Sequence, residues 1–491
     1  MGRVSALVLC TAVLVLAPVG TVAAGAAGSG GTTAASVAQS GPNPCVGTVT
    51  EEPDRATVLS IQGARGSDKT DAMTVSFAPS GEIIGVHDDS SYGRWWSYDV
   101  DRLANSNFLL SVTQDRHTVI EEVNDTTGAH VSVLDFPDVL DTHDVDLING
   151  DELLMNDMSQ DGEDRVFVYN LTREEVVWEY RFANHTDQFP RDAGGEFGGD
   201  WTHNNDVEEI RPGVFMVSLK NFNQIVAIDR STKEVVWTLG EPGNRDIVNR
   251  QHNPDYLVND AGQPTVIVSD SANDRVAEYT RESGKWNLTW VLRGGNLNEP
   301  RDADRLPNGN TLVSDRRGDR LLEVTPTGEV VWEVYAPWQP YDAERLGTVD
   351  ESSGPTMVDA GVTGPQEMTG SASPDEAAKE DCYNYIQNVT STRLVPEDDP
   401  GPVTAPRIGE EGNDSGNAAD GTDGDGTDSD GESGDRESGD GETDGGSGDE
   451  GILGTTDGDG SSAFGPTALP VLLALLAIVL GAVAVASRTR R

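Results

Sequence analysis

The chain has 491 residues and a formal net charge of −50, with 84 acidic residues against 34 basic ones. Only five of the basic residues are lysine. An acidic excess of this size argues against a nucleic-acid-binding protein, which needs a basic face for the phosphates. It suits a protein that stays soluble in concentrated salt, where repulsion between charges is screened over short distances. The composition therefore predicts a salt-loving prokaryotic source, and an archaeon first of all.

The N-terminal end is predicted to lie outside the folded domain. Residues 1–24 contain Arg3, an apolar run from Val4 to Val19 and small residues up to Ala24. This pattern is typical of a secretory signal peptide, and an uncleaved membrane anchor is the alternative. Residues 25–43 are small and polar, as in a flexible leader.

The C-terminal end predicts a tether. Residues 396–465 are rich in Asp, Gly, Ser and Thr and cannot bury a core, which indicates a disordered acidic stalk. Residues 468–486 form an uncharged apolar run long enough for a transmembrane helix, and the Arg-rich residues 487–491 should stay on the cytoplasmic side. Six Asn-x-Ser/Thr sequons fit an exported glycoprotein. We expect the bulk of the chain to be anchored on the extracellular face of the cell surface.

Residues 44–395 are predicted to form an all-β domain. Short apolar runs alternate with Gly and Asp clusters, which indicates strands of about five residues. The region has no convincing helical periodicity. Residues 347–379 have few strand formers and are predicted to form a long loop.

One motif recurs through residues 98–340 and begins again just after them. Its copies start 40 to 60 residues apart, each has an acidic residue three positions after its start, and the fourth predicted strand often ends in Val-Trp. Four strands in a repeat of about 40–50 residues match a β-propeller blade. We interpret the acidic residues as structural and the tryptophans as packing between blades. The copies start at Tyr98, His143, His203, His252, Arg301 and Tyr341.

The repeats predict a six-bladed propeller of four-stranded blades. Five blades follow one another from Tyr98, and a sixth combines strands before Tyr98 with strands after Tyr341, so that no sheet edge stays free. This closure would also bring Cys45 and Cys382 together, which outside the cell could form a disulfide. The alternative places Tyr98 at the end of the preceding blade, with the next blade starting near Arg102.

The first strand of each blade lines the central channel, so the motif starts should form a ring of protonatable side chains. His143, His203, His252 and Arg301, joined by Tyr98 and Tyr341, suit an anionic group with three oxygens such as sulfate, sulfonate or phosphate. Zinc is the alternative ligand of three histidines. We predict no metal, because histidines from three different blades are often too far apart for one ion.

Several segments over residues 141–335 resemble the arylsulfate sulfotransferases. These exported six-bladed propellers transfer a sulfuryl group from one phenol to another without a nucleotide sulfate donor. The matching segments, in chain order, are Thr142-His143-Asp144, Asp200-Trp201-Thr202-His203-Asn204-Asn205, residues 218–224 with 228–230, Val236-Trp237-Thr238-Leu239-Gly240 and Gln251-His252.

The resemblance implies a role for each matching residue. His252 would be the nucleophile that carries the sulfuryl group, and His143 and His203 would bind sulfuryl oxygens and assist proton transfer. Lys220 stands where the family has an arginine, which keeps the charge but loses the bidentate fork. Arg301 could supply that fork instead.

Two further residues of the Trp-x-His-x-Asn segment are predicted to bind the substrate. Asn205 is assigned to the sulfuryl group, and Trp201, together with Tyr98, could stack on a phenol ring. No cofactor is predicted. The expected partners are an aryl sulfate, a phenol and, through the C-terminal helix, the membrane.

Two other functions fit the same pattern. A non-catalytic surface propeller could use the ring to bind a glycan, an anionic ligand or a protein, because the fold alone does not decide function. An ester-cleaving hydrolase could use the same ring with water as the acceptor. The enzyme is favoured if His143, His203 and His252 approach one common point.

Overall fold

The computed structural model describes residues 43–402 except residues 160, 161, 163, 349 and 350. The predicted signal peptide, most of the leader and of the stalk, the C-terminal span and the Arg-rich tail lie outside the described residues. Within the described part of the chain, no helix is long and apolar enough to cross a bilayer.

The described residues form six four-stranded antiparallel blades, which confirms the predicted all-β, six-bladed propeller. In the first five blades the strands follow chain order from the central axis outwards. The strands before residue 90 are β1 (Val46–Val49), β2 (Thr57–Ile61), β3 (Ala64–Arg65), β4 (Asp68–Lys69), β5 (Met73–Phe77) and β6 (Ile83–Asp88).

The five blades with consecutive strands are numbered here 1 to 5. Blade 1 contains β7 (Arg94–Arg102), β8 (Phe108–Gln114), β9 (His117–Val123) and β10 (His130–Phe136). Blade 2 contains β11 (Val145–Ile148), β12 (Glu152–Asp157), β13 (Arg165–Asn170) and β14 (Glu175–Arg181). Blade 3 contains β15 (Asn204–Arg211), β16 (Val214–Leu219), β17 (Gln224–Asp229) and β18 (Val235–Gly240).

Blades 4 and 5 each gain one additional strand at the outer edge. Blade 4 contains β19 (His252–Val258), β20 (Pro264–Asp270), β21 (Arg275–Glu282) and β22 (Lys285–Arg293), and the short β28 (Gly364–Glu367) pairs in parallel with β22. Blade 5 contains β23 (Pro300–Arg305), β24 (Thr311–Asp315), β25 (Arg320–Val324) and β26 (Val330–Tyr335), and β1 pairs with β26. Both additions cover an otherwise open sheet edge.

Blade 6 closes the ring as predicted. Its strand order is β27 (Pro340–Arg345), β2, β5 and β6, so the innermost strand comes from the end of the domain and the other three from its start. Tyr98 lies within β7, an innermost strand. This position excludes the alternative start near Arg102, and it moves the start of the first full blade from the predicted Tyr98 to Arg94.

One α-helix corrects the prediction that the domain lacks helices. Helix α1 (Glu376–Ile386) begins at Asp375, whose side chain accepts a hydrogen bond from the N–H of Ala378. It buries only Lys379, Cys382 and Ile386, so its apolar periodicity is too sparse to recognise. Four 3₁₀ turns complete the elements: Ser90–Tyr92, Phe182–Asn184, Lys220–Phe222 and Ser271–Asn273.

Two interactions connect one blade to the next. The first uses the repeated tryptophans, which confirms their predicted packing between blades. Trp332 donates its indole N–H to the carbonyl of Pro79 in blade 6 (2.9 Å), and Trp290 donates to Pro326 in blade 5 (3.0 Å). Both indoles are fully buried.

The second interaction uses acidic residues of the innermost strands. The N–H groups of Val100, Val145 and Val207 donate to carboxylates of the preceding blade, at 3.0, 3.0 and 2.6 Å. Their acceptors are Asp342, Asp99 and Asp144. These bonds satisfy backbone groups that no strand pairing reaches.

The predicted structural role is confirmed for Asp146, which accepts the N–H of Glu209 at 3.1 Å. The repeat alignment made Asp206 equivalent to Asp146, but the structure does not. Val207 N–H bonds to Asp144, as Val145 N–H bonds to Asp99, so Asp206 corresponds to Asp144. The alignment in blade 3 therefore shifts by two residues.

A disulfide bond joins Cys45 to Cys382. Cys45 directly precedes β1, the strand at the outer edge of blade 5, so the bond links this edge to helix α1. Both cysteines are fully buried in the core cluster that contains Trp332 and Met73. The bond closes a loop that spans almost the whole propeller, with a sequence separation of 337 residues.

We expect the double variant Cys45→Ser/Cys382→Ser to lose about 2–5 kcal/mol of unfolding free energy, because the disulfide restricts the unfolded chain and ties down both ends of the domain. Thermal unfolding of the purified protein measures the change. The reduced wild type serves as the control and should unfold at the temperature of the variant. An unchanged melting temperature in both would contradict the stabilising role.

Asp164 makes the stability depend on pH. Its carboxylate accepts both the N–H and the hydroxyl of Thr202, at 2.8 and 2.6 Å, and it is almost fully buried. Burial raises the pKa of Asp164 to about 6, although the two hydrogen bonds oppose the shift. Between its ordinary pKa and about 6 the folded protein thus binds more protons at this site than the unfolded chain does.

The contribution of Asp164 to the unfolding free energy should therefore fall as pH rises through this interval. In Asp164→Asn, which keeps an acceptor for Thr202, the loss of stability between about pH 4 and pH 7.5 should shrink by roughly 1–3 kcal/mol. Denaturant unfolding at several pH values measures it, with Asp115→Asn in an exposed turn as the control. Parallel pH profiles for Asp164→Asn and wild type would refute the assignment.

Candidate active site

The innermost strands are irregular where the motif starts. The pairing register shifts between Ser97 and Asp99, Asn204 and Asp206, His252 and Pro254, and Pro300 and Asp302, and opposite Tyr341 it shifts between Leu59 and Ile61. In blade 2 the N–H groups of His143 and Asp144 both lie within hydrogen-bond distance of Asn156 Oδ1. Bulges of this kind bend a strand and redirect a side chain. They explain how a motif start and the acid beside it both approach the channel.

The structure brings the three predicted histidines together around Tyr341. The His143 and His203 rings lie 5.3 Å apart, and the Tyr341 ring lies 5.5 Å from His143 and 6.1 Å from His252. The Tyr341 hydroxyl lies 3.0 Å from His143 Nδ1. None of these four side chains is more than 6 % exposed, so they form one enclosed polar group.

The surroundings of His252 determine which nitrogen carries its proton. Nδ1 lies 3.0 Å from the carbonyl oxygen of Arg250 and 2.9 Å from Ser271 Oγ, and the Ser271 hydroxyl donates to the carbonyl of Pro300. A carbonyl oxygen only accepts, so Nδ1 must donate. In the neutral imidazole the lone pair is then on Nε2.

Arg301 lies against the same imidazole. One guanidinium nitrogen is 2.7 Å from His252 Nε2 and 2.8 Å from Nδ1. Because this nitrogen is almost equally far from the two ring nitrogens, it lies against the imidazole ring and not along the lone pair of Nε2. Arg301 is 2 % exposed, so a buried positive charge lies beside the His252 ring.

His203 lies between a carboxylate and an ammonium group. Its Nδ1 lies 2.8 Å from Asp200, and its Nε2 lies 3.1 Å from the ammonium group of Lys220. Lysine only donates, so Nε2 accepts and Nδ1–H donates to Asp200. Burial alone would raise the pKa of Asp200, but His203 and Lys220 outweigh burial and lower it. Lys220 thus supplies a buried positive charge at the position where the sequence comparison expects an arginine.

The structure gives Asn205 and Trp201 supporting positions. Asn205 donates to the carbonyl of Gln251 at 3.0 Å and thereby fixes the residue before His252. Trp201 is fully buried between Phe197 and Phe222, with ring distances of 4.8 and 5.7 Å, and its indole N–H donates to the carbonyl of Ala193. Trp201 is fully buried in this apolar cluster, and its assignment to the phenol ring stays a prediction.

The histidines have aromatic neighbours, of which the sequence predicted Tyr98 and Tyr341 but not Trp95 and Trp96. Tyr98 stacks on His143 at 3.9 Å, and its hydroxyl donates to Asp141 at 2.8 Å. Trp96 packs edge-on against Tyr98 at 5.4 Å, and Trp95 lies 4.0 Å beyond Trp96. The sequence signal that could have predicted these rings is the pair Trp95-Trp96, just before the first motif copy. These rings provide an aromatic wall on one side of the site.

Other histidines lie away from this group. His87 and His130 converge on Asp89 and Glu121 between blades 6 and 1, with potential ligand atoms within 4.8 Å of one another. Arg94 pairs with Glu121 in the same cluster. The two carboxylates therefore already have cationic and hydrogen-bonding partners.

Several solved structures are similar to this chain, at low identity and low TM-score. A protein of unknown function from Bacteroides caccae is 12 % identical, with 63 % of this chain and 97 % of that chain covered and a TM-score of 0.40. Virginiamycin B lyase from Staphylococcus aureus is 10 % identical, with coverages of 57 % and 84 % and a TM-score of 0.36. No curated protein sequence matches this chain.

The match to a protein family is more informative. Residues 62–261 match the family model described as Arylsulfotransferase (ASST). This span begins in blade 6, continues through blades 1 to 3 and ends just after β19, so it contains His143, His203, Lys220 and His252. Arg301 and Tyr341 lie beyond it. Over these 200 residues the chain is similar to the arylsulfotransferases, and its three central histidines all lie in the matched part.

Proposed function

We propose that this protein is an aryl-sulfate sulfotransferase that moves a sulfuryl group from a phenolic sulfate ester to a phenol, without a nucleotide donor. The observation that carries the proposal is the arrangement around Tyr341. Three histidines lie beside two buried cations, Lys220 and Arg301, and the partners of His252 leave the Nε2 lone pair as its nucleophilic site. This arrangement favours an enzyme over a binding propeller, because scattered or apolar histidines would not support transfer chemistry.

In the first step, His252 Nε2 attacks the sulfur of the donor. The bond between nitrogen and sulfur forms as the bond between sulfur and the phenolic oxygen breaks, which gives a sulfohistidine and a phenolate. Arg301, which lies against the His252 ring, would donate N–H hydrogen bonds to the sulfuryl oxygens. Sulfuryl transfer resembles phosphoryl transfer in its loose, charge-spread transition state, so Arg301 and Lys220 stabilise it electrostatically.

Proton transfer at the phenolic oxygen is assigned to His143. Its Nδ1 is hydrogen-bonded to the Tyr341 hydroxyl, and its Nε2 lies 3.9 Å from Asp141, which would stabilise an imidazolium. The imidazolium donates a proton to the departing phenolate. In the second step the same imidazole accepts the proton of the acceptor phenol, whose oxygen attacks the sulfohistidine and regenerates His252.

His203 and the aromatic wall complete the proposed site. Asp200 and Lys220 orient the His203 ring. The Lys220 ammonium group beside this ring would bind a sulfuryl oxygen. Tyr98 and Trp96 offer ring faces and edges for a phenol. Because the central side chains are buried, binding of a substrate requires movement of the segments that cover them.

The location at the cell surface is part of the proposal. It rests on the predicted signal peptide and C-terminal span, and the disulfide between Cys45 and Cys382 fits an oxidising compartment. The donor and acceptor would then be phenolic molecules outside the cell.

We expect His252→Ala to reduce sulfuryl transfer from a chromogenic aryl sulfate by several orders of magnitude, because the nucleophile is removed. A rapid quench of the wild type with donor alone should reveal one sulfuryl group on the peptide that contains His252. The matched control is His117→Ala, since His117 pairs with the exposed Asp135 at the outer part of blade 1. Undiminished turnover in His252→Ala would sink the proposal.

Lys220 tests whether a buried cation is needed. Lys220→Met has a similar volume and should lower kcat/KM by about 10²-fold, because a transition-state charge loses its partner. Lys220→Arg should stay within about tenfold of the wild type, because the charge and a donor remain. Steady-state kinetics with one aryl sulfate compare the three proteins. Equal kcat/KM for Lys220→Met and wild type would show that Lys220 serves the fold only.

A further inference from the structure

The innermost strands carry two rings of carboxylates below the motif starts. Each strand has a pair of residues spaced by two, and residues with this spacing point to the same side of a strand. The upper ring is Asp99, Asp144, Asp206, Asn253, Asp302 and Asp342, and the lower ring is Asp101, Asp146, Glu208, Asp255, Asp304 and Glu344. Eleven of the twelve positions are acidic.

These side chains surround a cavity at the centre of the propeller. Its volume is about 20 Å³, and residues of both rings line it, with Glu351 in addition. Its lining residues, all within the described chain, include no lysine, arginine or histidine. The nearest buried arginines already have partners, because Arg305 pairs with Glu278 and Arg345 with Glu323.

Burial makes this concentration of negative charge unfavourable. Asp206 and Asp302 are at most 5 % exposed. Burial and neighbouring carboxylates raise the pKa of both groups well above its usual value. An enclosed set of acids must either hold protons or have a positive partner.

Two observations point to a positive partner. Oxygen atoms of Asp255, Asp302 and Asp304 lie within 4.8 Å of one another, close enough to contact one ion. Independently, Asp206 Oδ2 and Asp302 Oδ2 are buried against the cavity without a hydrogen-bond partner among the described protein atoms. Asp255 is one of the charges that act on Asp206, so the two observations concern the same part of the channel.

We propose that this channel binds a divalent cation, with Asp255, Asp302 and Asp304 as the ligands and the buried carboxylate of Asp206 as a further negative charge that attracts it. The donors are all oxygens, which suits a hard cation and not zinc. Calcium fits best, because it accepts six to eight oxygens in irregular geometry, whereas magnesium demands near-octahedral order. The ion would offset part of the negative charge of the two rings and join blades 4 and 5 at the axis.

The test uses the full-length chain, purified in detergent and concentrated KCl. After gel filtration without added divalent ions, metal analysis should find about one calcium per chain, and a calcium chelator should remove it. Returning calcium should raise the melting temperature of the chelated protein by about 5 °C or more. Asp302→Asn and Asp206→Asn should weaken this response, while Asp115→Asn, in an exposed turn, should keep it.

Two outcomes would overturn the inference. In one, the folded wild type contains no divalent ion and its melting temperature does not respond to calcium, so the carboxylates share protons. In the other, both channel variants respond to calcium as strongly as the wild type does, so the ion binds elsewhere. Metal content and the wild-type response decide the question even if a variant fails to fold. None of these measurements depends on sulfuryl transfer.

Discussion

The propeller depends on one hydrogen bond that is repeated around its axis. An innermost strand has no neighbour on its axial side, so part of its backbone lacks a ladder partner. A carboxylate from the preceding blade accepts these N–H groups, as Asp342, Asp99 and Asp144 do for Val100, Val145 and Val207. The acids thereby join blades that share no sheet. These inter-blade carboxylates also concentrate negative charge in the channel. The histidines and Arg301 at the motif starts lie next to this charge.

Three residues of the candidate site directly precede, in the chain, a residue of the upper ring. His143 precedes Asp144, His252 precedes Asn253, and Arg301 precedes Asp302 in the chain. In a regular strand, neighbouring side chains would point to opposite sides, but the irregular pairing at the motif starts redirects them. One short motif thus provides both the acid that connects the blades and the group that faces a ligand.

The sequence was sufficient for the architecture and for the central histidines because both leave periodic signals. The six blades, the shared closing blade and the inter-blade tryptophans all follow from the repeat. The two-residue shift at Asp206 did not, since a bulge changes register without changing composition. Helix α1 was missed because it buries only three of its side chains. Trp201 was assigned to the substrate because its segment resembles a motif, and only the structure shows that Phe197 and Phe222 pack against it.

The order of strands in the closing blade constrains how the domain can be made. Of the four strands of blade 6, β2 is synthesised first. Its axial edge is covered by β27, which emerges from the ribosome almost 300 residues later. Until then, the blade has an exposed edge that another chain could pair with. A chain that stops before Pro340 would keep this edge open permanently. Every partial chain that ends between blades would therefore present this unpaired edge of β2 to other chains.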